Sequence, residues 1–555
     1  MKKILLSMGF AGCLLQTTAQ SLQFVRQMGQ TGYGEGHSLT LDNAGNIFTA
    51  GRFAGAIDFD PNAGITSLSS IGTVDAFVAR YDAQSTLIWA KQLGGSGGFI
   101  EAEEIALDGN NNVYVVGQFQ LSADFDPGAG TVSMTSNSAK DLFILKLDAS
   151  GNFLWARQFG GGSGINEGHS LAVDNSGNVF LGGYFSETAD FDPGAGVTNL
   201  TSFGQGDGFI VKLDAAGNFG WIKQFGGTND DLIRSVKLDS SGNIICTGSF
   251  WGTADFDPNA GTQNLNSFGS LDIFVLKLDP SGNFTWVKQF GGAGGDQGYS
   301  VASDASGNIY SAGYFTGIAD FDPGAGTSEL TAVGVADAYV SKLDPSGNVI
   351  WTKQLGGDGA DYPLELTVNA AGKSYIIGQF GGTCDFDPGA SMASLTSNGG
   401  SDAFVTILNS DGSYSYAMQL GGTNADYGFD IAIDNDSFYS TGYFQGTVDF
   451  DPGVGTVSLT SGGYDIYLHK MSQTTLNINE LTMEIDLEVS PNPANSVLSI
   501  ETVGTVQSVS VYSTTGCLLF MQNSPTISVE HLRAGAYILV VITDSGVGTT
   551  RFIKE

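Results

Sequence analysis

Positive charge is what this chain has least of. Its 555 residues carry 22 Lys and Arg against 57 Asp and Glu, a formal net charge of −35. Binding nucleic-acid phosphates or anionic lipid takes clustered Lys and Arg, so the balance argues against both and leaves cations, neutral glycans and proteins as fitting partners. Cysteine is also scarce. Cys13 falls in the N-terminal leader, and Cys246, Cys384 and Cys517 alone imply no disulfide framework. Beyond that leader no run approaches the roughly 18 apolar residues of a membrane span, and no stretch keeps a helical period over a useful length.

The leader "MKKILLSMGFAGCLLQTTAQ" has two lysines, an apolar core and small residues, and reads as a secretory signal peptide over residues 1–19 cut near Ala19. A lipoprotein reading with Cys13 acylated is set aside, because Phe10 fits it poorly and the apolar run continues to Leu15. The mature protein is therefore expected to leave the cytoplasm. Its 80 Gly and 36 Phe, with 14% charged residues, suit a turn-rich β protein rather than a disordered chain.

The chain repeats itself. A D-F-D-P motif starts at Asp58, Asp124, Asp190, Asp255, Asp320, Asp385 and, as V-D-F-D-P, Asp449, at offsets of 66, 66, 65, 65, 65 and 64 residues. A W-x-K-Q-x-G-G strand recurs at Trp89, Trp155, Trp221, Trp286 and Trp351, with weaker copies at Tyr416 and Phe24. Turns of D-x-x-G-N type follow at Asp42, Asp108, Asp174, Asp239 and Asp304, degraded at Asn369 and Asp434. Each unit reads as four short antiparallel strands, in the first copy "SLTLD", "NIFTAGRF", "DAFVARYD" and "LIWAKQL". Seven such units predict an all-β, seven-bladed propeller rather than a linear solenoid. The ends support a ring: the array opens on a lone Trp-type strand at Phe24–Gly29 and closes on Asp465–Met471, which lacks that strand. The N-terminal strand should therefore complete the last blade, with "SLTLD"-type strands innermost.

The repeat "GNIYSAGYFTGIADFDPGAGTSELTAVGVADAYVSKLDPSGNVIWTKQLGG" (Gly307–Gly357) closely resembles the bacterial SBBP seven-bladed β-propeller repeat, over about Phe24–Met471. That resemblance implies a fold and no single activity. The tail from Leu487 to Glu555 resembles the type A C-terminal sorting domain of the type IX secretion system, on Pro491, Asn492 and Pro493, on Gly516, on Leu532, Gly535 and Tyr537 of "L-x-x-G-x-Y", and on Lys554. It implies a partner, the type IX machinery, and a product released or held at the cell surface. Alternating strands with Gly turns suit a small Ig-like sandwich there. The expected organisation is thus signal peptide 1–19, propeller 20–471, linker 472–486 and sorting domain 487–555.

In an extended D-F-D the two carboxylates share one face and Phe takes the other. The candidate metal ligands are accordingly Asp58 and Asp60, Asp124 and Asp126, Asp190 and Asp192, Asp255 and Asp257, Asp320 and Asp322, Asp385 and Asp387, and Asp449 and Asp451. The third acidic ligand and the Glu of an EF-hand are missing. A different calcium loop stays open as the one cofactor, beside the favoured role of turn cap. Catalysis by these copies is disfavoured, since an acid–base pair needs two unlike environments and repetition supplies one environment seven times. The D-x-S-G-N turns at Asp148, Asp214, Asp279 and Asp344 faintly resemble a sialidase Asp-box, without the arginine cluster a sialidase needs. "GGSGG" at Gly94–Gly98 lies between strands, not at a nucleophile elbow. His37, His169 and His469 read as loop and strand residues without a shared metal or triad site.

The repeats disagree on one face, where the interblade and D-F-D-P loops emerge. Its acidic, aromatic and His variants are Glu35, His37, Glu101, Glu103, Glu104, Glu167, His169, Asp230, Asp231, Asp296, Asp361, Tyr362, Asp426 and Tyr427. They are either a solvated rim or a recognition surface on a rigid scaffold. The function expected is non-catalytic binding of a glycan or protein, the alternatives being a glycan-active hydrolase or lyase and a purely structural surface component.

The turn-cap role predicts that the unfolding midpoint of Gln20–Met471 is the same in calcium and in chelator, and that changing Asp124 and Asp126 to Asn lowers it equally in both. A rise confined to calcium and lost in that variant would make the motif an ion clamp.

Overall fold

The computed structural model describes residues 18–30, 32–435, 437–453, 455–475, 487–513, 518–544 and 546–555. Residues 1–17 of the expected signal peptide, most of the expected linker and Gly516 lie outside that set. Every regular element among the described residues is a strand. Ser21–Ser472 form one compact unit, and a second contains Gln473–Glu555.

In the first unit the strands pair into seven antiparallel groups of four. Blade 1 runs Tyr33–Leu41, Ile47–Ala54, Asp75–Tyr81 and Leu87–Leu93. Blades 2 to 6 repeat this order, their first strands being Phe99–Leu107, Asn166–Val173, Asp231–Leu238, Gln297–Ser303 and Asp361–Val368. Blade 7 has Tyr427–Asp434, Ser437–Asp449 and Ser458–Thr475, and takes its fourth strand from Thr18–Gln30. Each first strand packs on the next blade's first strand, and Tyr427–Asp434 packs on Tyr33–Leu41, so the ring closes. Closure by the N-terminal strand is the arrangement the complementary ends of the array predicted.

The repeated residues hold the blades. Each D-F-D-P segment enters a short hairpin, such as Ala56–Asp58 with Ser67–Ser69, whose first Asp pairs with the end of the preceding blade's fourth strand. That bridge occurs seven times: Gly29 with Asp58, Gly94 with Asp124, Gly160 with Asp190, Gly226 with Asp255, Gly291 with Asp320, Gly356 with Asp385 and Gly421 with Asp449. The Phe between the carboxylates (Phe59, Phe125, Phe191, Phe256, Phe321, Phe386, Phe450) is buried. It meets a second-strand Phe edge-on, with centroids 5.1–5.6 Å apart in all seven blades. The carboxylates do what Asp does in turns: Asp124 Oδ1 accepts from the Asp126 and Val132 amides at 3.0 and 2.8 Å, and Asp126 Oδ1 accepts from Gly128 at 2.8 Å. The other pairs repeat this pattern, from Asp58 and Asp60 through Asp190, Asp192, Asp255, Asp257, Asp320, Asp322, Asp385 and Asp387 to Asp449 and Asp451.

A second repeated carboxylate is harder to read in the sequence. Asp75, Asp141, Asp207 and Asp337 open third strands, Asp272, Asp402 and Asp465 hold the equivalent point within longer ones, and all seven are buried. The Gln of W-x-K-Q donates to each, as in Gln92 to Asp75 and Gln289 to Asp272 at 2.6 Å, and Gln27 of the N-terminal strand donates to Asp465 at 2.5 Å. Charge-assisted bonds of this kind contribute roughly 1.5–3 kcal/mol each. They also account for the glycine after the strand: a Cβ on Gly356 would sit 2.3 Å from the Asp337 carboxyl carbon.

The second unit is a two-sheet sandwich. Leu487–Ser490, Val497–Thr502 and Thr526–Ser528 form one sheet, and Leu518–Gln522, Val506–Ser513, Gly535–Thr543 and Gly546–Lys554 the other. Leu498 and Ile527 of the first meet Val511, Leu539 and Phe552 of the second in its core.

Met28 of the closing strand is fully buried against Ile466 and Leu468 of blade 7 and Phe53 of blade 1. Met28→Ala is predicted to cost about 2–5 kcal/mol in urea unfolding; an unchanged midpoint would mean that this strand does not hold the ring.

Candidate functional site

The first strands carry the site because each breaks its own pairing at the same place. The register with the second strand skips one residue per blade: His37, Glu103, His169, Arg234, Tyr299, Leu364 and Phe429. A bulge of this kind re-aims a side chain. All seven line one cavity of about 240 Å³ at the centre of the ring. The scaffold positions are near-copies from blade to blade, whereas this position holds His twice and five other residue types once.

The next residue sews the ring. Just past six of the seven bulges, an inner-strand amide finds an oxygen on the preceding blade, while in blade 7 Ile431 N turns to Asp430 of its own strand at 2.7 Å. Leu39 N donates to Asp430 at 2.7 Å, Ile105 N to Ser38 Oγ at 3.3 Å, Leu171 N to Glu104 at 2.6 Å, Val236 N to Ser170 Oγ at 2.9 Å, Val301 N to Ser235 Oγ at 3.3 Å and Leu366 N to Ser300 Oγ at 3.1 Å. Glu104, expected on the loop face, is one of these seam residues. Lys237 of blade 4 reaches across the channel to Glu104 at 2.5 Å and lies 4.0 Å from Glu365. Burial, with the repulsion of Asp430 and Glu104, pushes the Glu365 carboxyl up to about 8 despite Lys237. Ser38, Glu104, Glu365 and Asp430 line both the upper cavity and a second of about 430 Å³ below it, and so form a waist.

Above the waist the mouth has two unlike halves. On blades 1 to 3 it is charged. Arg52 holds Glu35 at 2.8 Å and Glu101 at 2.6 Å, and His37 Nε2 lies 3.0 Å from Glu35. Burial disfavours the charged imidazole, but the Glu35 hydrogen bond and the charges of Glu103, Glu35 and Glu101 outweigh it and raise the His37 pKa. Glu103, 3.8 Å from His37 Nδ1 and 3.2 Å from Gln118, is pushed up to about 7, first by burial and then by Glu101. Glu167 pairs with Lys140 at 3.0 Å, and His169 is driven down to about 3 by burial and by Arg234 and Lys140.

On blades 5 to 7 the mouth is aromatic. Tyr299, Tyr314 and Tyr362 follow one another at centroid distances of 5.8 and 4.9 Å. Tyr427 stacks on Tyr443 at 4.9 Å and 18°, Tyr464 follows at 4.9 Å, and Tyr33 of blade 1 at 5.2 Å. Phe429 touches His37, joining the two halves.

Several expectations change. Glu35 and Glu101 are buried on first strands, not exposed in loops, because those strands start at Tyr33 and Phe99, ahead of the point where alternation becomes visible. Asp231, Asp296, Asp361 and Asp426 are buried too, and each takes the amide of a preceding glycine: Gly227, Gly292, Gly357 and Gly422 at 2.7–2.9 Å. They cap the blade entry and leave the recognition face, whereas Asp230, which accepts from Tyr184 at 2.9 Å, is half-buried in its loop. His37 and His169 are channel-wall residues rather than plain loop residues, while His469 is buried among Phe438 and Phe450 and pushed down to about 3 by that burial. Among the described residues one group of three has the ligand atoms for a metal, His37, Glu101 and Glu103, within 4.8 Å of one another. Arg52 already supplies positive charge there and Glu35 holds His37 Nε2, so the geometry is that of a compensated network. Tyr299, Tyr314, Tyr443, Tyr464 and Phe429 went unnoticed as site residues. Part of the signal was present: Tyr299 and Phe429 stand where blades 1 to 4 have His, Glu, His and Arg, and Tyr314 and Tyr443 where blades 1, 2, 4 and 6 have Arg, Gln, Ser and Gln but blade 3 also has Tyr184, whereas Tyr464 lies on the third strand of blade 7.

In the tail, Pro491 and Pro493 flank Asn492, which accepts from Ile553 at 2.9 Å and donates to the Arg551 carbonyl at 3.1 Å. Tyr537 donates to the Arg533 carbonyl at 2.8 Å and stacks on Phe552, Gly535 opens its strand, and Lys554 is buried beside it in the register.

A carboxyl with a folded pKa of about 7 against an ordinary 4.5 binds its proton more tightly in the fold. Its stabilising contribution is complete below the unfolded value and is lost as pH rises through the folded one. Glu103→Gln, neutral at every pH, should therefore gain stability relative to the parent between about pH 5 and pH 8 in urea unfolding. A difference that does not change with pH would show that Glu103 titrates elsewhere.

Comparison with known proteins follows the same division. The "Beta-propeller repeat" model SBBP matches residues 88–118, 154–184 and 285–322, and the "Secretion system C-terminal sorting domain" model matches 488–555. An uncharacterized WD repeat-containing protein of Acanthamoeba polyphaga mimivirus is 24% identical over 378 residues, covering 58% of this chain and 26% of that protein. The regulatory protein FlaEY of Caulobacter vibrioides is 26% identical over 412 residues, covering 70% of this chain and 41% of that protein. This chain thus spans well under half the length of either relative. Among solved structures, Sqt1 of Chaetomium thermophilum aligns over 97% of this chain and 99% of its own at 8% identity and a TM-score of 0.35, and a Bacteroides caccae protein of unknown function over 62% and 89% at 11% and 0.30. The chain carries SBBP-type β-propeller repeats and ends in a type IX secretion system C-terminal sorting domain, and it is secreted or held at the cell surface.

Proposed function

We propose that this secreted or surface-held propeller is a binding protein, and that the mouth of its central channel receives a glycan. The observation that carries the reading is the two-sided mouth: a run of tyrosines faces a hydrogen-bonding acidic half on one rigid ring. Sugar rings present C–H faces that pack on aromatic rings and hydroxyls that bond carboxylates and amides. The tyrosines also offer large contact area with few rotatable bonds to freeze. Binding residues carried on strands and bulges are held more firmly than residues on free loops, so the site is pre-organised. On this reading the sorting domain delivers the binding module, through the type IX machinery, to where polysaccharides are met.

One observation favours a second reading, a glycan-active hydrolase: Glu101 and Glu103 share the mouth, and the raised Glu103 pKa suits a general acid. The binding reading assigns that shift to burial among fixed charges, with Glu101 tied to Arg52.

The two readings separate in one experiment on the full-length protein with a panel of neutral and acidic oligosaccharides. Binding without bond cleavage is expected, with Tyr427→Ala weakening affinity about three- to ten-fold while the melting midpoint stays near that of the parent. Turnover lost in Glu103→Gln would install the hydrolase in its place, and saturable binding indifferent to Tyr427 would move the site off the mouth.

A further inference from the structure

The arginines of the propeller are almost all spoken for. Arg26 donates to the Val25 carbonyl, Arg52 is clamped by Glu35 and Glu101, Arg80 bonds the Ala149 carbonyl and Asp42, and Arg157 bonds the carbonyls of Gly217 and Ala216. Arg234 differs. Among the described residues its guanidinium has no hydrogen bond and no carboxylate within 4.0 Å, and its Nε is buried without a partner. This occurs in a chain with 57 acidic residues to 22 basic ones, where a carboxylate partner is the easiest thing to supply.

The guanidinium is held all the same. Arg234 occupies the bulge position of blade 4, lines the upper cavity, and lies over the ring of Tyr299, the bulge residue of blade 5, at 5.2 Å. A cation over a tyrosine face is fixed in place while its outward nitrogens stay open to a ligand. Among the described residues the neighbours leave it as the free cation of that wall. Lys140 is paired with Glu167, and His169 is kept neutral by burial and by Arg234 itself. The Tyr314–Tyr362 pair adjoins Tyr299 as a platform beside the charge.

We propose that Arg234 is the carboxylate-reading residue of the mouth, and that the glycan taken there is an acidic one bearing uronic-acid-type carboxylates. The inference rests on the mouth being the glycan site and adds the class of sugar. A planar guanidinium fork matches a carboxylate through two parallel hydrogen bonds, a match a lysine cannot copy. The overall charge favoured neutral glycans, but the local balance is different. Glu35 and Glu101 share Arg52, Glu167 has Lys140, Lys237 offsets Glu104 and Glu365 at the waist, and the acidic groups of the outer surface are screened over about 8 Å at physiological salt.

The test is calorimetric titration of the full-length protein with oligogalacturonate, with the same oligosaccharide after its carboxyls are reduced to alcohols, and with an acidic peptide. The parent should bind oligogalacturonate about ten-fold or more tightly than the reduced form. Arg234→Gln should bring the two sugars to equal affinity, and Arg234→Lys should recover only part of the preference, with melting midpoints showing that each variant is folded. Equal affinity of the parent for both sugars, a preference that survives in Arg234→Gln, or binding of the peptide alone would overturn the proposal. If both sugars bind equally and Tyr427→Ala weakens both, the mouth stands as a glycan site and only the carboxylate assignment falls. If neither sugar binds, the acidic-glycan assignment falls, and the glycan reading of the mouth falls with it only if the oligosaccharide panel is also unbound.

Discussion

At six of the seven bulges the amide just past it is taken by a side-chain oxygen of the blade before it, and the rest of the structure depends on that exchange. A bulge in an inner strand turns one residue out of the ladder and leaves an amide to be satisfied. Here the partner comes from Ser38, Glu104, Ser170, Ser235, Ser300 or Asp430 of the adjacent inner strand, so the same irregularity both sews neighbouring blades and frees a side chain to face the channel. Because the seam needs an oxygen but sets no condition on the bulged residue itself, that residue can be His, Glu, Arg, Tyr, Leu or Phe without cost to the ring. A conserved geometry thus carries an unconserved set of side chains within one molecule.

The outer fixtures serve the same end. The D-F-D-P hairpin grips the preceding blade's last strand, its Phe fills the blade core, and the buried Asp–Gln pair ties third strand, fourth strand and hairpin together. These elements are spent on holding seven units in register, so they have to be alike. Function is left to the positions that the scaffold does not use.

That division explains what could be read in advance. The repeat count, the four-strand unit and the strand exchange that closes the ring were legible because they lie in alternating apolar patterns and complementary chain ends. The candidate site was half legible. Tyr362, Tyr427, Glu167 and His37 stand where the repeats disagree, and disagreement can be seen without a structure. Asp296, Asp361 and Asp426 disagree as well, yet they are buried caps, since nothing in the letter Asp distinguishes a carboxylate facing water from one facing backbone amides. The seam and the bulge were hidden for a related reason: "GEGHSLTL" breaks period-two alternation at His37, so the inner strand looks shorter than it is. Arg234 was visible as a break in the pattern, but its lack of a partner is a fact of three dimensions.

The central claim is that ligand recognition belongs to the inner-strand mouth and not to the opposite face with its D-x-x-G-N turns. Hydrogen-exchange mass spectrometry of the full-length protein, with and without saturating oligogalacturonate, tests it most directly. The account predicts slowed exchange in peptides covering the upper halves of the inner strands, around 33–39, 99–105, 231–236, 297–301 and 427–431, with the turns at Asp148, Asp214, Asp279 and Asp344 unchanged. Protection at those turns, with the inner strands unaffected, would contradict it.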